Sequence, residues 1–296
     1  MSYRPSRSNS RQASGRATPV EERQIPVWQG NSFEDDDEGE QAAGLMARLV
    51  EVEQHFARLK NQGQHLEALH FMELSVFLRK QLYGAESEEV AMACQVFTTS
   101  CNTVAMSCLQ RDDYEKAHEL LKKAELLTEA RGYIQEDRTR LKLRAVTYNN
   151  LGCFYKRRGK LFSALQYLDK ALKMELSSSE VDNPAGTHLN LCATLSQLDR
   201  HAPALEHAQC ALELLKRSIE QDPNAKEQAS ILAIAYHNMA VEQEHLGQWR
   251  AAMDSYRHSV GVAEQQWGPA HPKTQAIKNS WSHAKKKAAQ QERLDP

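Results

Sequence analysis

From Leu45 onward the apolar positions recur at spacings of three and four, the period of an α-helix. No alternating β-branched run interrupts them, and only six isoleucines occur, so no strand of useful length is expected. The helical pattern breaks at LYGAESEE, ARGYIQED, LSSSEVDNPAG, SIEQDPNAK and QWGPAHPK. Each break carries Gly, Pro, Asp or Asn, residues that end helices and build turns.

The breaks return at near-regular intervals, which points to an internal repeat. Aligning the segments that follow short turns puts Ala68, Ala117, Ala164, Ala204 and Ala252 at one position, in steps of 49, 47, 40 and 48 residues. Seven residues later stand Ser75, Ala124, Ala171, Ala211 and Ser259. Twelve residues before the first alanine stand Phe56, Ala105, Gly152, Cys192 and Ala240, four of them small. Small residues at fixed points of two adjacent helices let antiparallel backbones approach closely. One helix pair cannot bury its apolar face alone, whereas stacked pairs can.

This spacing resembles tetratricopeptide repeats, whose signature sets a Leu-Gly pair, a Tyr, then two Ala and a bulky residue across two helices. The third unit carries it most fully, with Tyr148, Leu151-Gly152, Tyr155, Gly159, Ala164, Leu168 and Ala171. The fifth follows with Tyr236, Ala240, Gly247, Trp249, Ala252 and Tyr256. The first unit departs from it by placing Phe56 at a small position, and the fourth carries Pro203 in the first turn of its second helix. The long steps, and the linkers Leu82-Tyr83-Gly84 and Trp267-Gly268-Pro269-Ala270-His271-Pro272, are similar to the kinesin light chain subtype. The resemblance covers about residues 45 to 285. It implies an all-α, right-handed superhelical solenoid of about five antiparallel helix pairs, and a scaffold or adaptor role, cytoskeletal, transport or ciliary. The heptad coiled coil of a true light chain is missing, which argues against a motor subunit.

The expected organisation is a disordered tail over residues 1–40, five repeats over 41–272, and a capping helix with a short tail over 273–296. The tail holds Arg4, Arg7, Arg11, Arg16 and Arg23, then an acidic block from Glu34 to Glu40. It has few apolar residues to offset the entropy of ordering. Val27-Trp28 and Phe33 are its exceptions. Ser10, Ser14, Thr18 and Ser32 sit in kinase-like contexts. The acidic block could fold back on a basic segment and compete with an acidic ligand. The cap, Lys273 to Arg293, sets Trp281 on one side and Lys285-Lys286-Lys287 on another.

Composition narrows the function classes. Lys plus Arg total 37 against 39 Asp plus Glu, so the net charge is −2 and a general nucleic-acid binder is disfavoured. No apolar run reaches the roughly 20 residues of a membrane span. No apolar signal core opens the chain, and six cysteines in 296 residues form no disulfide framework, so a cytoplasmic protein is expected. Catalytic motifs are missing: Gly159-Lys160 follows no strand, and His118-Glu119 opens no zinc motif. Cys94, Cys101 and Cys108 run along one helical stripe about 10 Å apart, too far to share a metal, so they read as packing residues. His237 and His245, eight residues apart on the fifth inner helix, make a poor ligand pair. No enzyme activity, metal or cofactor is expected.

The informative positions are those the resemblance places in the concave groove. They are Asn102 in the second unit, Asn149 and Asn150 in the third, Asn190 in the fourth, and His237 and Asn238 in the fifth. An asparagine both donates and accepts, so a row of them can pair with an extended peptide backbone or with each other. A basic run joins them: Arg138, Arg140, Lys142, Arg144, Lys156, Arg157, Arg158 and Lys160, with no acidic residue between the first and last. Lys156 and Arg157 lie two turns beyond Asn149 and Asn150 and would favour an acidic partner. The expected partner is therefore a protein offering an extended, acidic segment. Nucleic-acid binding through 138–160 is the alternative, and self-association through the convex face stays open.

Overall fold

A computed structural model describes residues 35–177, 184–221 and 226–294. Eleven helices account for nearly all of them, and no strand occurs among the described residues. The chain divides into two units, 1–41 and 42–296. Of the first, residues 35–41 are described, and they are helical. Helix α1 (Asp35–Asn61) thus begins within the acidic block assigned to the tail. The tail's arginines, Val27, Trp28, Phe33 and its serine and threonine sites lie outside the described residues.

The second unit is an array of helix pairs. α1 packs with α2 (His65–Tyr83), α3 (Glu88–Gln110) with α4 (Tyr114–Leu127), and α5 (Asp137–Arg157) with α6 (Leu161–Ser177). α7 (Pro184–Ser196) packs with α8 (His201–Gln221), and α9 (Lys226–His245) with α10 (Trp249–Trp267). α11 (Pro272–Leu294) closes the array against α10. Pro203 is the third residue of α8, where its missing N–H costs nothing.

The aligned small positions sit inside the pairs. Ala117, Ala164, Ala204 and Ala252 are fully buried, as are Ala105, Cys192 and Ala240 on the facing helices. At Gly152 a Cβ would stand 2.5 Å from Leu168 Cγ, so only glycine fits the crossing of α5 and α6. Cys94, Cys101 and Cys108 are buried in the core of the second pair, and burial pushes the first two thiols up to about 11 and about 12.

The turns within the five pairs share one geometry. Gly63, Asp112, Gly159, Asp199 and Gly247, each five residues before the aligned alanine, all have φ between 55° and 74°. The next N–H reaches back five residues each time: Gln64 to Leu59, Asp113 to Cys108, Lys160 to Tyr155, Arg200 to Leu195 and Gln248 to Gln243. This is the glycine-favouring cap that satisfies the last carbonyls of a helix and reverses the chain. Three of the five positions hold glycine and two hold aspartate, a side chain that tolerates the left-handed region.

Successive odd-numbered helices α3, α5, α7 and α9 touch one another, while among the described residues no successive even-numbered pair makes a comparable contact. The odd-numbered row is therefore the inner side of the array, and it carries the expected groove residues.

Candidate functional site

Each candidate asparagine lies on an inner helix because the repeat returns the same helix face to the same side. Asn102 on α3 is 4% exposed. Its Nδ2 donates to Thr98 O at 3.1 Å and to Thr147 Oγ1 of α5 at 2.9 Å, and its Oδ1 accepts from Asn150 Nδ2 at 2.9 Å. One repeat on, Asn149 Oδ1 accepts from Asn190 Nδ2 of α7 at 3.0 Å and from Thr187 Oγ1 at 3.3 Å. Lys156 Nζ reaches Asn190 Oδ1 at 3.5 Å. These residues thus form a polar row of two hydrogen-bonded groups, Asn102 with Asn150 stitching α3 to α5, and Asn149 with Asn190 and Lys156 stitching α5 to α7. Asn149, Asn150, Lys156 and Asn190 remain half-exposed on that surface.

The other candidates stand apart. Arg157 Nη2 bonds Asp112 Oδ1 at 3.0 Å, at the turn between α3 and α4, so it aims away from Lys156. His237 meets the Tyr256 ring edge-on at 5.9 Å within its own helix pair, and burial pulls its pKa below the usual histidine value. Asn238 is half-buried on α9.

The basic run disperses in the same way. Arg140 pairs with Asp137. Arg144 is half-buried and caps α4, donating from Nη1 to Thr128 O at 2.8 Å and Glu125 O at 3.2 Å, and from Nε to Tyr148 OH at 3.0 Å. Arg158 lies over the Tyr114 ring at 5.1 Å. A run that looks continuous in sequence is turned in several directions by helical rotation.

Three residues absent from the sequence reading complete the row. Thr147 and Thr187 are buried and occupy equivalent repeat positions. Glu175, at the end of α6, is also buried; its Oε1 lies 2.9 Å from Thr187 Oγ1. Burial pushes the Glu175 carboxyl above its usual range. The Thr187 hydroxyl donates to Glu175 Oε1 at 2.9 Å and, over a longer 3.3 Å, faces Asn149 Oδ1, so its one hydrogen is shared between the two. A hydroxyl five residues before the small position is the signal that would have found both threonines.

Two separate histidine contacts lie further along. His188 Nδ1 and His207 Nδ1 are 2.9 Å apart. His201 Nδ1 meets the buried Glu242 Oε2 at 2.8 Å, and its ring stacks on His245 at 4.0 Å. No three His, Cys, Asp or Glu side chains converge as metal ligands would, among the described residues. No helix among them is long and apolar enough to cross a membrane.

Residues 143–217 match the tetratricopeptide repeat family model. No curated protein matches the chain. Among solved structures, BtubC (BKLC) from P. vanneervenii is 16% identical, with 85% of this chain and 91% of that one covered and a TM-score of 0.50. A Rap protein complexed with competence and sporulation factor is 14% identical, with 86% and 73% covered and a TM-score of 0.52. Repeats assigned to a kinesin light chain of Podosopora anserina are 14% identical, with 74% and 95% covered and a TM-score of 0.46. The repeats of this chain are tetratricopeptide-like, and the likeness at these identities is one of fold.

Proposed function

We propose that this protein is an interaction scaffold that holds a peptide segment of a protein partner along the inner helices α3, α5 and α7. The observation that carries the reading is the polar row from Asn102 to Asn190, which runs across three successive repeats and keeps half-exposed amides and the Lys156 ammonium on the inner side. Amides in register can pair with peptide backbone without reading sequence, and Lys156 adds a preference for an acidic side chain. The reading rests on that row and not on His237, Asn238 or Arg157, which stand apart from it, Arg157 on Asp112 and His237 against Tyr256. Residues 41–272 would carry the interaction, with 273–296 as cap.

The finer reading is a cytoplasmic adaptor of the cytoskeletal, transport or ciliary kind. It draws support from the linkers that follow α2 and α10. Gly84 (φ 84°, ψ 158°) and Gly268 (φ 84°, ψ 159°) end α2 and α10 with the same turn, the segments that resemble kinesin light chain repeats. Nucleic-acid binding through 138–160 is disfavoured by the engagement of Arg140, Arg144, Arg157 and Arg158 within the fold.

The test is affinity capture from lysate with the full chain beside the Asn150→Ala, Lys156→Glu double variant, read by mass spectrometry. Thermal melts of both proteins separate lost binding from lost folding. Partners held by the parent and lost by an equally folded variant would support the reading. Equal capture by both would sink it.

A further inference from the structure

The first repeat differs from the other four, and the difference leaves a groove. The small positions of repeats two to five are closed, with Ala105, Cys192, Ala240, Ala124, Ala171 and Ala211 all fully buried. In repeat one the equivalent positions are Phe56 and Ser75, and both are only half-buried. The phenyl ring takes the place where a small residue would let backbones approach. Around it lie two adjoining cavities of about 740 and 420 Å³ between α1, α2 and α3, and both are lined by Phe56 and Met72. Leu69 and Val104 line the larger, and Met92 and Val96 the smaller. Met92 and Val96 are 51% and 54% exposed, so the groove opens to solvent along an apolar wall.

On α3 the lining runs from Glu89 to Arg111, about 33 Å at the helical rise. This face is the side of α3 opposite Asn102. Three of its four hydroxyls point their hydrogens into their own helix: Thr99 to Gln95 O, Thr103 to Thr99 O and Ser107 to Thr103 O, at 3.0, 3.0 and 3.2 Å, which leaves Ser100 as a single hydroxyl and not a row. The wall therefore offers no donor row to an extended backbone. An occupant must satisfy its own backbone bonds, as a helix does. The ends of the groove also differ in charge. Lys60 and Arg111 line one end with Glu67 as the single acid, and no ion pair involves either cation among the described residues. At the other end the Glu53–Arg79 pair, 2.6 Å apart, is self-neutralised and Glu89 remains.

We infer that this groove receives an amphipathic helical segment of a partner protein, apolar stripe against Phe56, Met72 and Val96, with an acidic end lying between Lys60 and Arg111. The methionines give the wall room to adapt to the stripe. A helix of about 20 residues spans the length.

The test uses the full chain and three labelled 20-residue peptides, with binding read by fluorescence anisotropy. One carries a leucine stripe at helical spacing and three glutamates in its last turns. The second has lysines at those three places, and the third scrambles the stripe. The lysine peptide is the better helix on its own, because cations suit a helix C-terminus, so peptide helicity opposes the expected order. The glutamate peptide is expected to bind at least ten-fold tighter than either control. Val96→Glu, a change at an exposed site, should weaken it ten-fold or more without altering the protein's circular dichroism melt. Lys60→Glu with Arg111→Glu should reverse the order of the first two peptides. Absence of binding, equal binding of the scrambled or lysine peptide, or indifference to Val96→Glu would overturn the inference. Loss on Asn150→Ala with Val96→Glu silent would overturn it too, by moving the binding to the asparagine row. Asn150→Ala is otherwise expected to leave it unchanged, so this groove and the inner polar row succeed or fail separately.

Discussion

Gly152 is set against Leu168 so closely that a single methyl group changes the balance. Alanine would gain about 1 kcal/mol of helix propensity. Its Cβ would also press on Leu168 Cγ and Cδ2, at 2.5 and 2.6 Å, in a fully buried site. Overpacking of that kind costs about 1–3 kcal/mol, so Gly152→Ala should lower stability by roughly 1 kcal/mol net, read as a lower urea midpoint. A midpoint at or above the parent's would show that α5 and α6 part freely. His188 supplies a pH dependence. Burial, then the neighbouring His207, lowers its pKa from 6.5 to about 4. Between those values the unfolded chain binds the proton and the folded chain does not, so stability falls as pH drops from 6.5 towards 4 and is level above 6.5. The full span amounts to about 3 kcal/mol. His188→Gln should make the fall of the urea midpoint from pH 6.5 to 4 shallower, the remainder coming from other histidines lowered by burial, such as His237; an unchanged slope would assign it wholly to those groups.

Helices and turns were legible to different degrees. The five pairs and the cap followed from local signals: helical period, breaker clusters and recurring small residues. The left-handed turn residues were in register too, five before each alanine, but two are aspartates and a search for glycine passes them by. Asp199 shows why the position matters more than the residue type. At φ 55° its Cβ meets the backbone, and alanine there should cost about 1 kcal/mol relative to a residue that tolerates the region. Asp199→Ala is expected to lower the urea midpoint and Asp199→Gly to restore it; equal midpoints for the two would remove the strain argument. The bonds of the polar row were not legible. Whether Asn102 meets Thr147 and Asn150, or solvent, depends on the rotation between neighbouring helix pairs, which no local signal encodes. The basic run misled for the same reason, since helical rotation sends Arg144 to the end of α4 and Lys156 towards α7.

Across the whole array, stability should be regional, because each pair packs mainly on its sequence neighbours. α11 tests this most directly. Ile277 and Trp281 pack with Val260 and Ala263, Ala284 packs with Ala240 and Tyr256, and Lys287 pairs with Glu244 at 2.7 Å. Truncation after Gly268 would strip that cover from the fifth pair while leaving every contact of α3 to α6 in place. Amide hydrogen exchange should then speed up by ten-fold or more in α9 and α10, with α3 to α6 exchanging as in the full chain. Uniform acceleration along the array would mean that the repeats unfold as one cooperative unit. No acceleration in α9 and α10 would mean that the cap covers surface the fifth pair does not need buried. The regional outcome also bears on binding: a segment held by the asparagine row spans α3, α5 and α7, so it should slow exchange across three pairs, whereas a helix in the first-repeat groove should slow it only from α1 to α3.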